Sequence, residues 1–208
     1  MDYSALKSGT DIRGIASDLG GKEVNLTDEA VYDITAAFIV WYVNKFSKSP
    51  NELVMAVGRD SRITGEKISS NVKKAMVNAG ITVLDCGLSS TPAMFMTTVD
   101  LKTDAAIQIT ASHHPFDRNG LKFFTKDGGL TSKDLDVILE ISDAECKMNG
   151  GNGTVTKIDY IAEYAALVEG AQPHVPAPCP DTLWLSGLEL CEVTPERNFI
   201  NVGERCNV

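Results

Sequence analysis

Apolar residues recur at three- and four-residue steps along several stretches of the chain, as they do in helices with one buried face. The clearest stretch carries Val31, Ile34, Phe38, Trp41 and Val43. Thr27 suits the N-cap, and Asp28 and Glu29 complement the dipole of the first turn. This pattern predicts a helix over residues 27–46. Similar patterns predict helices over residues 64–79, 91–99 and 160–168, and another that begins at Ser132.

Short β-prone runs separate these helices. They are Leu53–Val57, Ile81–Leu84, Ala105–Ile109, Leu121–Thr125 and Thr154–Ile158. Alternating strands and helices predict an α/β fold, specifically a three-layer α/β/α sandwich with ligand loops at the carboxyl ends of the strands. The link between residues 109 and 121 is short and has no helical pattern. It therefore predicts some antiparallel pairing and a mixed sheet.

The amino-acid composition of the sequence changes near residue 169. Residues 171–180 read AQPHVPAPCP, with four prolines in ten residues, a composition that favours an extended linker. We therefore expect one globular domain over residues 1–169 and a proline-rich linker with a non-globular, extended C-terminal tail over residues 170–208. A chain of 208 residues is long enough for one ordinary core and an appendage.

Charge and hydropathy exclude some classes of partner. The formal net charge is −9, which argues against nucleic-acid binding, because that binding needs clustered lysines and arginines. No apolar run is long enough to span a bilayer, and the first residues do not resemble a secretion signal, so we expect no membrane partner and a cytoplasmic location. The five cysteines are odd in number and widely spaced, which favours reduced thiols.

Ser112 is the strongest candidate for chemistry. It follows the predicted strand Ala105–Ile109 within the loop TASHHP, where two of the three histidines, His113 and His114, come directly after it. A serine beside a histidine in a loop most often makes only local backbone hydrogen bonds, so this pair alone decides nothing.

Cations occur in other glycine-containing segments, where we expect the chain to turn and to bring them toward one anion. They are Arg13 in SGTDIRG, Arg59 and Arg62 in VGRDSRITG, and Lys122 in DRNGLKFF. A phosphorylated serine needs such partners, because it carries nearly two negative charges at neutral pH. The alternative is that Arg59, Asp60 and Arg62 only pair with one another on the surface at the start of a helix.

These three segments together resemble a known family. TASHHPFDRNGLKFF resembles the active-site loop of the α-D-phosphohexomutases, and SGTDIRG and VGRDSRITG resemble the other two motifs of that family's first domain, in the same order. The resemblance covers residues 7–165. It implies a phosphoryl shuttle between the 1- and 6-hydroxyls of a hexose, with a hexose phosphate and a hexose 1,6-bisphosphate as substrate and intermediate.

The resemblance also implies roles for individual residues. Ser112 would carry the phosphoryl group, while Lys122 and Arg13 would act as acid/base and charge-stabilising groups near it. His113 would orient the loop. A magnesium ion, Mg2+, would bridge the phosphate on Ser112.

Three further positions would surround the phosphoserine. Arg59 and Asp60 would line the site around the phosphoserine, and His114 would be a phosphate-binding residue. His114 stands where the family usually has asparagine, and an imidazole differs from an amide in shape and carries a pH-dependent charge. This difference leaves open a second interpretation, a non-catalytic relative that binds phosphosugars. The family's later domains, with their metal and sugar loops, are not recognisable in the sequence, so we expect this fragment alone to be poorly active.

The C-terminal tail resembles a different family. Residues 198–208, NFINVGERCNV, with LWLSGLEL before them, are similar to the start of the folate-binding module of cobalamin-dependent methionine synthase. One strand without its barrel cannot enclose a pterin, so we expect no folate binding. Two unrelated signatures joined by a proline-rich segment indicate a fusion, a truncation or two joined genes.

Overall fold

The structure is a computed structural model and describes residues 3–143 and 150–170. The proline-rich segment and the tail that resembles methionine synthase lie outside the described residues, so those two interpretations remain predictions. Of the five cysteines, only Cys86 lies among the described residues, and it is a buried free thiol. Burial raises the pKa of Cys86 to about 12, so the thiol stays protonated at neutral pH.

The described residues form five α-helices. They are α1 (Asp28–Phe46), α2 (Gly65–Ala79), α3 (Thr91–Asp100), α4 (Ser132–Asp143) and α5 (Tyr160–Gly170). Local chemistry sets several of the boundaries. Thr27 Oγ1 accepts a hydrogen bond from Ala30 N at 3.1 Å and caps α1, and Ser90 Oγ caps α3 in the same way. Gly80 ends α2 with a φ of +93°, a conformation that favours glycine.

The described strands are β1 (Lys7–Ser8), β2 (Asp11–Ile15), β3 (Val54–Arg59), β4 (Thr82–Leu88), β5 (Ala105–Ile109), β6 (Arg118–Thr125), β7 (Gly128–Gly129) and β8 (Thr154–Lys157). They form one mixed sheet in the order β1-β2-β6-β5-β3-β4-β8, and β7 pairs with β6. Strands β3, β4, β5 and β8 are parallel, whereas β6 runs antiparallel to both β5 and β2. The mixed sheet confirms the predicted fold class.

Two apolar clusters lie on opposite faces of the sheet and give the three layers. The larger cluster packs α1, α2 and α4 against strand residues such as Met55, Ile107 and Phe123. The smaller cluster packs α3 and the start of α5 against Ala56, Ala106 and Phe124. Among the described residues, no helix is long and apolar enough to cross a membrane.

The N-terminal hairpin is the main difference from the predicted elements. Arg13 was expected where the chain turns, but it lies inside strand β2. Lys122 lies inside β6, within the strand that was predicted over residues 121–125. Strand β6 begins at Arg118, three residues earlier than predicted, because its first residues pair with β2. The sequence of these segments is polar and rich in glycine, so the pairing of the two strands, and not local β-propensity, makes them extended.

Candidate phosphoryl-transfer site

The predicted Ser112 loop lies at one edge of the sheet. Because β3, β4 and β5 are parallel, their carboxyl ends meet at that edge. The loop follows β5, and Asp60 directly follows β3, where its backbone N–H donates to Ile109 O at 2.9 Å. The topology thus brings the TASHHP and GRDSRITG motifs together.

Local hydrogen bonds shape the loop so that the Ser112 hydroxyl is exposed. Thr110 Oγ1 accepts from Ser112 N at 2.9 Å, and Ala111 O accepts from His114 N at 3.0 Å, which closes a turn over residues 111–114. Ser112 has a φ of +54°, an unusual value for a residue other than glycine. Such conformations often occur at functional sites, because the surroundings must hold them in place.

Both histidines lie beside this hydroxyl. His113 Nδ1 is 3.3 Å from Ser112 Oγ, and the rings of His113 and His114 stack with centroids 5.1 Å apart. Desolvation lowers the pKa of His114, and the charges of Arg118, His113, Arg13 and Arg62 lower it further. The lowered pKa favours the neutral imidazole, in which one ring nitrogen can donate and the other can accept.

Arg13 and Lys122 meet at a residue that the sequence analysis did not single out, Asp11. Asp11 Oδ2 is 2.8 Å from Arg13 Nη2, and Asp11 Oδ1 is 2.9 Å from Lys122 Nζ. Asp11 and Arg13 are two residues apart on β2 and so share one face of the sheet. The DIR spacing in SGTDIRG is the signal that could have identified Asp11.

Arg13 is the most buried cation of the site, with 7% of its surface exposed. It is opposite Gly120 on β6, where a Cβ would lie 2.8 Å from Arg13 Cδ and 2.9 Å from Arg13 Nη1. Burial lowers the pKa of Arg13, and the Asp11 carboxylate opposes that shift. Arg13 Nη1 is buried and has no acceptor among residues 3–143 and 150–170. An incoming anion would satisfy it.

Arg62 does not face an open site. Its two terminal nitrogens donate to backbone carbonyl groups of residues 112, 114, 115 and 118, and its Nε lies 3.3 Å from Asp60 Oδ2. Asp60 Oδ1 also accepts from Arg62 N at 3.0 Å. The contact between Asp60 and Arg62 matches the alternative interpretation of local pairing, but Arg62 also binds the loop that carries Ser112.

The Arg59 side chain extends toward the start of α2. It forms an ion pair with Glu66 at the start of α2, and its Nη1 donates to Asp60 O. Together with Lys73, Asp85 and Lys157, it lines a cavity of 210 Å³. The structure therefore brings Ser112, His113, His114, Asp60 and Arg62 together in one loop cluster, and it joins Arg13 to Lys122 through Asp11, while the contacts of Arg59 lead toward α2.

The described residues do not form a magnesium site by themselves. Among residues 3–143 and 150–170, no group of three or more histidine, cysteine or acidic side chains is arranged to hold a metal ion. A phosphate on Ser112 would supply oxygen ligands, but Mg2+ prefers six oxygens in near-octahedral geometry. The donor set in this part of the chain does not complete that geometry.

Comparison with known proteins identifies the fold and the family. A family model described as phosphoglucomutase/phosphomannomutase, alpha/beta/alpha domain I, matches residues 6–148. A crystal structure of a phosphoglucomutase/phosphomannomutase family protein from Burkholderia thailandensis aligns with a TM-score of 0.67 and 22% identity, covering 82% of this chain and 36% of that chain. At 22% identity, the alignment with the Burkholderia thailandensis structure shows a shared fold.

Curated relatives support the same assignment. Phosphoglucosamine mutase of Leuconostoc citreum (strain KM20) is 37% identical over 135 residues, which cover 64% of this chain and 28% of that protein. Phosphoglucosamine mutase of Corynebacterium jeikeium (strain K411) is 32% identical over 173 residues, which cover 80% of this chain and 37% of that protein. These alignments span about a third of each relative's length or less.

The chain thus has the α/β/α fold of a phosphohexomutase first domain, with the motifs of that domain at one edge of its sheet. It belongs to the phosphoglucomutase/phosphomannomutase family.

Proposed function

We propose that this chain carries the phosphoserine step of a sugar-phosphate mutase, with Ser112 as the phosphoryl carrier. The observation that supports this most strongly is the buried Arg13, whose Nη1 has no acceptor among the described residues. Arg13 on β2 lies opposite Gly120 on β6. Gly120 O accepts a hydrogen bond from the backbone N–H of Thr110, two residues before Ser112. A buried guanidinium donor and an exposed hydroxyl at one sheet edge fit a phosphate ester on that hydroxyl.

The proposed step is a phosphoryl transfer between two oxygens. With a hexose 1,6-bisphosphate as donor, the bond from phosphorus to the sugar oxygen breaks and a bond from phosphorus to Ser112 Oγ forms. His113 Nδ1, 3.3 Å from the hydroxyl, takes the serine proton, and Lys122 supplies a proton to the released sugar oxygen. Proton exchange with solvent then returns His113 and Lys122 to their starting protonation states. The reverse step returns the phosphoryl group to a hexose monophosphate.

Arg13 contributes charge stabilisation in this scheme. The transferring group carries negative charge on its equatorial oxygens, and fixed cations stabilise it without reorganisation. Asp11 holds Arg13 and Lys122 on one face, so both cations are oriented before the phosphate arrives.

The substrate is proposed to be an amino-hexose phosphate. The relatives described above carry the name phosphoglucosamine mutase. A comparison of glucosamine 1,6-bisphosphate with glucose 1,6-bisphosphate as phosphoryl donors tests this assignment. A faster reaction with the glucosamine compound supports it, and a faster reaction with the glucose compound contradicts it.

A single phosphoryl transfer, followed by intact-mass spectrometry and peptide mapping, tests the proposed function without requiring turnover. We expect the full chain, incubated with either bisphosphate and Mg2+, to gain one phosphoryl group on Ser112. Ser112→Ala should gain none. Ser61→Ala, which removes an exposed serine from the loop between β3 and α2, should gain it as the unmodified chain does. Absence of label in the unmodified chain would refute the proposal and favour a non-catalytic phosphosugar binder, whereas equal label in Ser112→Ala would refute it by showing that another residue accepts the phosphoryl group.

A further inference from the structure

All four terminal N–H donors of Arg62 face backbone carbonyls, and these carbonyls belong to the segment over residues 112–118, which is the Ser112 loop and the first residue of β6. Nη1 donates to Pro115 O at 2.7 Å and to Arg118 O at 2.9 Å. Nη2 donates to Ser112 O at 2.8 Å and to His114 O at 2.7 Å. A guanidinium has five N–H donors, and the fifth, on Nε, lies 3.3 Å from Asp60 Oδ2 in an ion pair. The four terminal N–H donors of Arg62 are therefore all occupied by backbone carbonyls and are not free to bind a phosphate.

Asp60 fixes the direction of this guanidinium. Its two carboxylate oxygens lie 3.0 Å from Arg62 N and 3.3 Å from Arg62 Nε. Its own N–H donates to Ile109 O, the last carbonyl of β5. The loop between β3 and α2 is thus attached to the end of the strand from which the Ser112 loop begins.

The loop that Arg62 contacts is made of two successive turns. His114 N donates to Ala111 O at 3.0 Å, and Arg118 N donates to Pro115 O at 3.1 Å. The carbonyls that Arg62 binds come from both turns. Ser112 has a positive φ in the first turn, which a residue with a Cβ adopts at an energetic cost. Contacts from outside the loop must therefore help to hold this conformation.

We propose that Arg62 is a positioning residue that holds the Ser112 loop in shape through its backbone carbonyls and does not bind the phosphate itself. In this role, Arg62 fixes the relative orientation of the two turns and so keeps the Ser112 hydroxyl exposed beside His113. The part of the proposal that concerns phosphoryl transfer rests on the proposed function, whereas the part that concerns loop shape does not.

The role requires an arginine. A guanidinium presents its donors in a planar fork, whereas a lysine ammonium has three donors at a single point and cannot reach four carbonyls in this arrangement. Arg62→Lys keeps the charge but removes the fork, so it separates loop positioning from charge.

The experiment compares the full chain with Arg62→Lys and with Lys67→Ala as the control. Lys67 lies in α2, is exposed, and pairs with Asp28 on the surface away from the loop. Amide hydrogen exchange measures protection of residues 111–118 and of strands β3 and β5. Intact-mass kinetics measure phosphorylation of Ser112 by a hexose 1,6-bisphosphate. Exchange in the strands reports whether each variant is folded.

In Arg62→Lys, we expect exchange in residues 111–118 to rise by about tenfold, because several hydrogen bonds are lost. Phosphorylation should slow by on the order of 100-fold, which is typical when a reacting group is misplaced. Exchange in β3 and β5 should not change, and Lys67→Ala should behave as the unmodified chain. If Arg62→Lys does not fold, Asp60→Asn, which leaves the fork intact but frees its Nε end, should show a smaller effect of the same kind.

Other outcomes would overturn the proposal. Unchanged exchange with slower phosphorylation would mean that Arg62 acts on the phosphate directly. Increased exchange with unchanged phosphorylation would mean that its contacts do not serve Ser112. If the unmodified chain takes no phosphoryl group, the proposed function fails, and exchange alone decides whether Arg62 holds the loop. Unchanged exchange in that case would refute the positioning role as well.

Discussion

At the scale of single residues, Asp11 links the two cations that the proposed chemistry needs. Its two oxygens divide between Arg13 and Lys122, at 2.8 and 2.9 Å. The side chains of Asp11 and Arg13 are only 15% and 7% exposed, so solvent screens their interaction weakly. Without this carboxylate, two cations would face each other across β2 and β6.

We therefore expect Asp11→Asn to destabilise the fold by about 1–3 kcal/mol, since it leaves a largely buried cation without its partner. Inorganic phosphate should recover part of this loss, because the anion can occupy the site between the cations. Urea unfolding with and without phosphate, at equal ionic strength, measures both effects. Asp28→Asn, which breaks the exposed pair with Lys67, is the control and should change stability little. Equal losses in both variants, or no recovery specific to Asp11→Asn, would contradict this role.

The candidate site could be predicted only in part from the sequence. Ser112 and its neighbour His113 were identifiable, because they are adjacent in the chain and belong to a recognisable motif. The role of Arg62 was not, since its partners are carbonyl groups 50 to 56 residues away and carry no side-chain signature. The direction of Arg59 toward Glu66 likewise depends on how α2 packs beside β3.

At the scale of secondary-structure elements, the pairing of β2 with β6 brings the site together. The register places Arg13 opposite Gly120 and Ile12 opposite Leu121. A Cβ at residue 120 would overlap Ile12 O and lie 2.8 Å from Arg13 Cδ. Glycine at this position lets the Arg13 side chain lie across β6.

We expect Gly120→Ala to destabilise the fold by about 1–3 kcal/mol, because the added methyl group overpacks the strand pair. Gly129→Ala is a matched control in β7, where a Cβ would lie 3.9 Å from Phe123 O, an ordinary contact. It should change stability by no more than about 0.5 kcal/mol. Urea denaturation of the two variants measures the difference. Equal stability of both variants would show that the strands can shift without cost.

Individual elements show where sequence patterns predict structure well and where they do not. Strand β5 was predicted at its observed bounds and α1 to within one residue, because their apolar residues bury against the core. Strands β1 and β2 were not predicted, since Lys7–Ser8 and Asp11–Ile15 are short and carry charge. The extended form of β2 depends on hydrogen bonds to β6, which lies more than 100 residues further along the chain, and β1 in turn pairs with β2.

At the scale of the whole molecule, the last described helix, α5, is attached to the core at its N-terminal end. Tyr160, at the start of α5, is buried in the smaller apolar cluster, and its hydroxyl donates to Asp100 Oδ2 at 2.6 Å. This contact joins α5 to the end of α3. We propose that the globular domain ends near residue 169, as its sequence predicts, and that residues 171–208 add nothing to its stability.

Two truncated chains test this boundary. A chain of residues 1–170 keeps Tyr160, and its free energy of unfolding should lie within about 0.5 kcal/mol of that of the full chain. Ser112 should be phosphorylated equally in both chains. A chain of residues 1–159 loses Tyr160 and the rest of α5, and should be less stable by about 3–5 kcal/mol, as expected when a large buried aromatic side chain is removed. Urea unfolding measures both. A clear loss of stability in the 1–170 chain would mean that the C-terminal segment belongs to the folded domain, because only contacts made by that segment distinguish this chain from the full one.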